Sequence, residues 1–452
     1  MLTDQLILLS KPVVPIFSMN KCANVLIFLQ YQNLLFPNIP NTLQQILYHY
    51  RSMKIAIIKE RKVPADKRVV LSPKACKNLL QTYPNLSIKV ESSDIRTFAD
   101  EDYLKTGIPV TDDISDCDVL LGVKEVPIEA LIPNKKYFFF SHTIKKQQYN
   151  RKLLQTILEK NIELYDHEVI VDKNHKRLIG FGYYAGIVGT YNGFRAYGLK
   201  HNLFELPYAE EFKDKKELIE KLQSIQLPPK KIVLTGTGRV GMGAKEILDA
   251  INIQQVSKSE FLHTNFTHAV YVQLDALDYN KRKDNIEKGI NDFFENPQEY
   301  ESSFFQFAHV ADLYIAGHYW DKEAPLIISE EDLKRPEFHI SVIADISCDV
   351  NGPIASTIRS STISNPIYGF DRKKSVETDF MDTSAIAVMA VDNLPCELPK
   401  DASEGFGEMF TKHVIPAFFN DDQDGILERA LMTHNGKLTK NFAYLQDYVD
   451  GK

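Results

Sequence analysis

Several classes of protein are excluded by what this chain lacks. Its 452 residues include only five cysteines, Cys22, Cys76, Cys117, Cys348 and Cys396. They are far apart and make no CxxC pair, so they imply neither a disulfide framework nor a zinc site. Twelve histidines occur without an HExxH or comparable cluster, and no metal site is expected. There is no basic surplus: 53 Lys and Arg against 60 Asp and Glu give a net charge of −7, which offers no positive field to nucleic acid or an anionic membrane. No apolar run is long enough for a membrane span. What remains is a soluble chain of a reducing compartment, expected in the cytoplasm, and too long for one comfortable core.

The first 52 residues stand apart. "MLTDQLILLSKPVVPIFSMN" has no basic region leading into a clean apolar stretch, and Lys, Pro and Asn interrupt its apolar runs. It is expected to be a non-native or disordered extension, with Met53 as the functional start; the alternative is an N-terminal arm particular to the family.

From Met53 the pattern alternates. "KIAIIK", "SIKVESS", "CDVLLGV", "KYFFFSH", "IELYDHEVI", "KIVLTGTG", "AVYVQLD", "ADLYIAG" and "HISVIADIS" are short apolar runs, with amphipathic segments such as "NRKLLQTILEKN" between them. This is the pattern of an α/β protein with doubly wound parallel sheets. Polar "DYNKRKDNIEKGINDFFENPQEYESS" (278–303) reads as an insertion carrying its own helix.

The strongest cofactor signal is "KIVLTGTGRVGMGAKEILDAI" (231–251), where Gly236, Gly238 and Gly241 form GxGxxG between a strand and a helix. Such glycines permit the tight turn and the close approach of a pyrophosphate to the helix N-terminus, where Arg239 and Val240 also sit. The next strand ends in Asp275, an acid that can accept from both ribose hydroxyls and would repel a 2′-phosphate. It lies 34 residues past Gly241, beyond the usual interval, so a loop must intervene. NAD or NADP is expected, with NAD favoured. Because the motif lies in mid-chain, two Rossmann-like domains with a cleft between them are expected: 53–185 with 385–452 on the substrate side, and 186–384 on the nucleotide side.

Two residues in the first of these domains occupy odd places. Lys124 follows the apolar run "VLLGV", and His142 follows Tyr137–Phe140. Together "KERKVPADKRVVLSP", "LLGVKEVP", "YFFFSHTIKKQ", "GFGYYAGIVG", "ADISCDVNGPI" and "VDNLPCELPKDASEGFGEMF" resemble the saccharopine dehydrogenase (L-lysine-forming) and lysine–2-oxoglutarate reductase family, within the alanine dehydrogenase/transhydrogenase-like group. The resemblance runs in order from Met53 to the end. It implies reversible condensation of L-lysine with 2-oxoglutarate to saccharopine, with hydride transfer from a nicotinamide to an imine. By resemblance Lys124 and His142 are the acid/base pair, a role for which His and a desolvated Lys are suited. Arg68 and Arg177 would hold substrate carboxylates, with Tyr183 in an aromatic wall. Glu60, Glu125 and Glu168 are candidates for receiving the ε-ammonium, and Asp345 would face the nicotinamide. The alternatives are an alanine dehydrogenase taking pyruvate and ammonia, or a nucleotide-binding protein without turnover. Partners are expected to be small molecules, not nucleic acid or membrane; assembly into like-chain oligomers is left open.

Overall fold

The computed structural model describes residues 53–452, and the expectations for residues 1–52 lie outside the described residues. All nine apolar runs named above carry a strand, and these are shared between two sheets. In the first sheet the order is Val110–Thr111, Leu86–Glu91, Met53–Ile57, Val119–Leu121, Lys136–Phe139, Glu163–Asp166. Every pairing in it is parallel. In the second the order is Val376–Thr378, Ile367–Asp371, Ile386–Met389, Val342–Asp345, Leu313–Ala316, Lys231–Thr235, Val270–Leu274, Gln254–Gln255. Strands such as Val119–Leu121, Leu313–Ala316 and Val342–Asp345 are buried along their whole length, because helices and loops cover both faces of a parallel sheet.

One edge of the second sheet departs from the parallel expectation. Ile367–Asp371 runs antiparallel to both Val376–Thr378 and Ile386–Met389. Residues 385–452 are expected on the substrate side, yet Ile386–Met389 pairs within the second sheet. Four consecutive apolar residues carry no period that separates a buried strand from a helix turn, and pairing across the sheet decides it. The nucleotide-side sheet therefore takes in residues beyond 384.

Two helices tie this architecture together. Gly182–Lys200 is buried over most of its length against the second sheet. It crosses the helix Arg239–Ala250 backbone to backbone: a Cβ on Gly186 would lie 2.0 Å from the Val240 carbonyl oxygen, and one on Gly243 2.0 Å from that of Tyr183. The helix Pro399–His413 starts with proline in its first turn, where no intrahelical N–H is needed. It sends Phe406 and Phe410 into the core of the first sheet beside Phe138. Phe181 stacks on Phe406 at 4.4 Å, so the C-terminal segment does return to the first layer. Segment 278–303 forms a hairpin, Asn280–Arg282 with Tyr300–Ser302, around the short helix Ile290–Glu295. Among the described residues no helix is long and apolar enough to cross a membrane.

Candidate active site

Parallel sheets bind ligands where neighbouring strands diverge to opposite sides, beyond their carboxyl ends. In the first sheet that point lies between Met53–Ile57 and Val119–Leu121, and it opens onto the segments Ile58–Lys62 and Gly122–Glu125. Glu60 ties the two together by accepting from the Val123 and Lys124 amides at 2.7 and 2.9 Å. Burial lifts its carboxyl to about 7, against the pull of those same amides. Lys124 is half-buried on its side of the crevice, and burial, seconded by the Arg68 charge, lowers its ammonium below the ordinary lysine value. Both groups can therefore exchange protons nearer neutrality than exposed counterparts would.

His142 meets this cluster through Glu125. Its Nδ1 lies 2.5 Å from Glu125 Oε1, and Lys62 Nζ lies 2.9 Å from Oε2. Burial would raise the Glu125 carboxyl, but its bonds to His142 and Lys62 outweigh that and hold it at about 2. Glu125 is thus an ionised carboxylate that fixes one ring nitrogen of His142 and leaves Nε2 free of it, the arrangement used to orient a general base. Each of its oxygens already has one protein partner, so a substrate ammonium would share this carboxylate with His142 and Lys62. His142 itself has φ +53°, a left-handed conformation uncommon for a non-glycine residue, at the end of the Lys136–Phe139 strand segment.

Arg68 is only 3% exposed. It is paired in a fork with Asp66, through Nε at 3.0 Å and Nη2 at 2.6 Å, and it rests on the Phe181 ring at 4.2 Å. Burial favours a neutral Asp66, but Arg68 prevails and holds that carboxyl at about 2. Two residues not anticipated from sequence complete the cluster: Asn393 Oδ1 accepts from Arg68 Nη2 at 3.3 Å, and the Cys396 thiol donates to Asp66 Oδ2 at 3.4 Å. Arg177 lies over Phe140 at 5.5 Å, and His142 stacks on the same ring at 6.3 Å. The Arg177 Nε is buried without a partner, as is Glu168 Oε2, and Lys145 Nζ approaches Glu168 Oε1 at 3.5 Å. Tyr183 is placed differently from the rest: its ring lies against Tyr184 and beneath the Lys215 ammonium, among neighbours on the nucleotide side.

The second sheet has its switch point between Lys231–Thr235 and Leu313–Ala316. Gly236 has φ +98°, and a Cβ there would lie 2.3 Å from the Gly317 carbonyl oxygen. A Cβ on Gly241 would lie 2.0 Å from the Gly236 oxygen, while one on Gly238, at the N-cap of Arg239–Ala250, would meet nothing within 4 Å. Two of the glycines are thus demanded by the turn, and the third keeps open space at a helix N-terminus, which fits a pyrophosphate. Arg239 donates through Nη2 to the Arg177 carbonyl oxygen, so the two crevices touch. Val240 packs its side chain against Gly317 and Gly182. Asp275 is exposed at the end of Val270–Leu274 and caps the short helix after it by accepting from the Ala276 amide at 2.7 Å. Asp345 is fully buried and its oxygens are taken by Ser347, Cys348 and Thr357, so it shapes the turn beyond its strand. His318, unremarked in the sequence, is 7% exposed; its Nδ1 bonds Thr235 Oγ1 at 2.9 Å, and burial lowers it to about 4.

Two family models match the chain: alanine dehydrogenase/PNT, N-terminal domain, over residues 56–188, and the corresponding C-terminal domain over residues 213–441. The chain belongs to the alanine dehydrogenase/PNT family. Among curated relatives it is 28% identical over 430 residues to alpha-aminoadipic semialdehyde synthase, mitochondrial, of Rattus norvegicus, covering 84% of this chain and 46% of that one. A protein of Arabidopsis thaliana named alpha-aminoadipic semialdehyde synthase is 29% identical, covering 86% and 41%. The chain spans less than half the length of these two relatives. Saccharopine dehydrogenase (NAD(+), L-lysine-forming) of Yarrowia lipolytica is 24% identical, covering 76% of this chain and 87% of that one. A solved L-alanine dehydrogenase shares the fold at a TM-score of 0.59 with 17% identity, over 88% of this chain and 99% of that chain. The resemblance read from the motifs therefore holds: the chain has the domains of the alanine dehydrogenase/PNT family, and its relatives include proteins named as saccharopine dehydrogenase and alpha-aminoadipic semialdehyde synthase.

Proposed function

We propose that the protein catalyses the reversible reductive condensation of L-lysine with 2-oxoglutarate to saccharopine. The observation that carries this reading is the strand-end cluster in which Lys124, lowered by burial, adjoins the Glu125 carboxylate that orients His142. Condensation requires a neutral amine, loss of water from a carbinolamine and protonation of the product nitrogen, so it needs two groups that trade protons near neutral pH. Lys124 takes the proton from the substrate ammonium. His142, held through Nδ1, gives a proton to the departing hydroxyl and takes one back from water in the reverse direction. A nicotinamide dinucleotide bound on the glycine motif would supply the hydride for reduction of the imine carbon. Arg177, whose Nε is buried and unpaired, binds a carboxylate of the 2-oxoacid or of lysine, and Glu168 receives a substrate cation through its unpartnered oxygen. Arg68, already neutralised by Asp66, contributes less as a free cation than as the fixed end of the Phe181 platform.

In this reading residues 53–185 with the C-terminal segment form the substrate side, and the second sheet forms the nucleotide side. Gly236, Gly238, Arg239, Val240 and Gly241 would hold the pyrophosphate of a dinucleotide, and Asp275 would receive its ribose, an acid there favouring NAD over NADP. Asp345 braces the turn next to the nicotinamide. The test is oxidation of NADH and NADPH by the purified protein with lysine plus 2-oxoglutarate, beside pyruvate plus ammonia. Lysine-dependent oxidation forming saccharopine, reduced about 10²–10⁴-fold by His142→Ala or Lys124→Ala, is expected. Turnover only with pyruvate and ammonia would replace this reading by an alanine dehydrogenase.

A further inference from the structure

Arg177 takes a substrate carboxylate in the proposed reaction, yet the segment that presents it is a surface hairpin. Val171 and Arg177 bridge its two strands, the Leu178 amide donates to the Ile170 carbonyl oxygen at 2.9 Å, and residues 173–176 stand open to solvent. A two-stranded hairpin is marginally stable by itself, so whatever holds its base decides where Arg177 sits. Two arginines hold that base. Arg429, from the C-terminal segment, donates through Nε and Nη2 to the Val171 carbonyl oxygen at 3.3 and 3.2 Å. Arg239 donates through Nη2 to the carbonyl oxygen of Arg177 itself. The first anchor belongs to the substrate side; the second reaches over from the first residue of the helix that follows the glycine motif.

This second anchor is set against electrostatics. A Cβ on Gly180 would lie 3.1 Å from Arg239 Nη1 and 3.7 Å from Arg177 Nε, so the two guanidinium groups border the same small space. Burial lowers each of them, and the Arg177 charge lowers Arg239 further. Holding two like charges together under partial burial costs free energy, and the charge-assisted bond to the Arg177 carbonyl offsets it. Nor can Arg239 drift away with its helix: a Cβ on Gly182 would lie 3.6 Å from its own, at the backbone crossing of the two long helices. We infer that Arg239 is a positioning residue of the substrate site: its side chain fixes the backbone from which the Arg177 guanidinium reaches a substrate carboxylate, while its main-chain amide is left for the pyrophosphate. The inference rests on the reading of Arg177 as a carboxylate binder. It makes the affinity for a carboxylate substrate depend on a residue of the glycine motif.

Arg239→Met, Arg177→Met and the double variant of the full chain are compared through KM and kcat for lysine and 2-oxoglutarate, and through calorimetric Kd for each substrate and for the dinucleotide. Arg239→Met is expected to raise KM and Kd of the substrate that Arg177 holds about tenfold, the effect of losing one charge-assisted bond, and to change KM more than kcat. In the Arg177→Met background the same substitution is expected to add less than about twofold, because a residue that acts through Arg177 has nothing left to place. Arg239→Lys, which keeps a cationic donor, is expected to recover most of the loss. Should Arg239→Met not fold, Arg239→Gln, too short to reach the carbonyl, takes its place in the cycle. Additive losses in the two backgrounds, or a loss confined to the Kd of the dinucleotide, would overturn the positioning role. Oxidation with pyruvate and ammonia alone would overturn the proposed reaction instead, and the same cycle run on the pyruvate carboxylate would then decide the role of Arg239.

Discussion

The two strand-end crevices are built from opposite materials. In the first sheet the chain crowds ionisable side chains together: Glu60 on the amides of Val123 and Lys124, Arg68 in the fork of Asp66, and Glu125 between Lys62 and His142. In the second it removes side chains, so that Gly236, Gly241 and Gly317 let backbone meet backbone and Gly238 leaves a helix N-terminus bare. The contrast suits the two tasks of the proposed function: moving protons requires groups whose ionisation is tuned by neighbours, whereas holding a pyrophosphate requires backbone N–H groups with nothing in front of them.

The sharpest way to break this contrast is to add a methyl group to the bare crevice. Gly241→Ala would put a carbon 2.0 Å from the Gly236 oxygen, so the turn must move. Isothermal titration should show nucleotide affinity lowered more than about 100-fold, with a Tm several degrees lower, as is usual for a steric insertion costing ~1–3 kcal/mol. Gly238→Ala meets no protein atom within 4 Å, and should leave the Tm within about 2 °C while weakening the nucleotide about tenfold. Equal Tm losses for the two would sink the assignment of separate structural and ligand-facing glycines.

A smaller effect is expected where the second crevice does use a charge. Asp275→Ser removes the strand-end carboxylate and should shift the ratio of kcat/KM for NADH over NADPH about tenfold toward NADPH, the value of one charge-assisted hydrogen bond. An unchanged ratio would show that cofactor choice is made elsewhere.

The least effect concerns the seam between the crevices. Glu397 is buried, accepts from Asn192 Nδ2 at 2.9 Å, and is lifted by burial to about 8. Its folded value lies above the unfolded one, so its contribution to stability is complete below about 4.5 and is lost as the pH rises through 8. Glu397→Gln keeps the acceptor and removes the titration; its Tm relative to the unaltered protein should rise by about 2–4 °C between pH 5 and pH 9. His167 and His318, lowered by burial to about 3 and about 4, act with the opposite sign: their contribution is present above about 6.5 and fades as the pH falls through those values. A Tm difference for Glu397→Gln that stays constant with pH would mean that the carboxylate is already ionised in the folded protein.

Much of this was legible in sequence because it is written locally. Each strand is a short apolar run, the glycine motif is contiguous, and Lys124 and His142 each follow directly on such runs. What escaped notice is non-local. Asn393 and Cys396 reach Arg68 and Asp66 from 325 and 330 positions away. Lys62 and Glu125 are 63 apart. No period or spacing announces such pairs, since only the folded sheets bring them together. Glu125 shows the same limit in another form: its position at a strand end suggested a free carboxylate, and its commitment to His142 depends on the register of two neighbouring strands. Ile386–Met389 was missed because pairing with Val342–Asp345 and Ile367–Asp371, not its own composition, makes it a strand.

The close crossing of Gly182–Lys200 over Arg239–Ala250 has a mechanical consequence. Side chains in contact can absorb a displacement by changing rotamer, but carbonyl groups pressed against glycine backbones have no such slack. The two helices must travel together. Phe181, immediately before the first turn of the longer helix, is the ring on which Arg68 rests. Any displacement of the helix that follows the glycine motif is therefore delivered, as by a stiff lever, to the platform beneath the buried arginine in the other crevice.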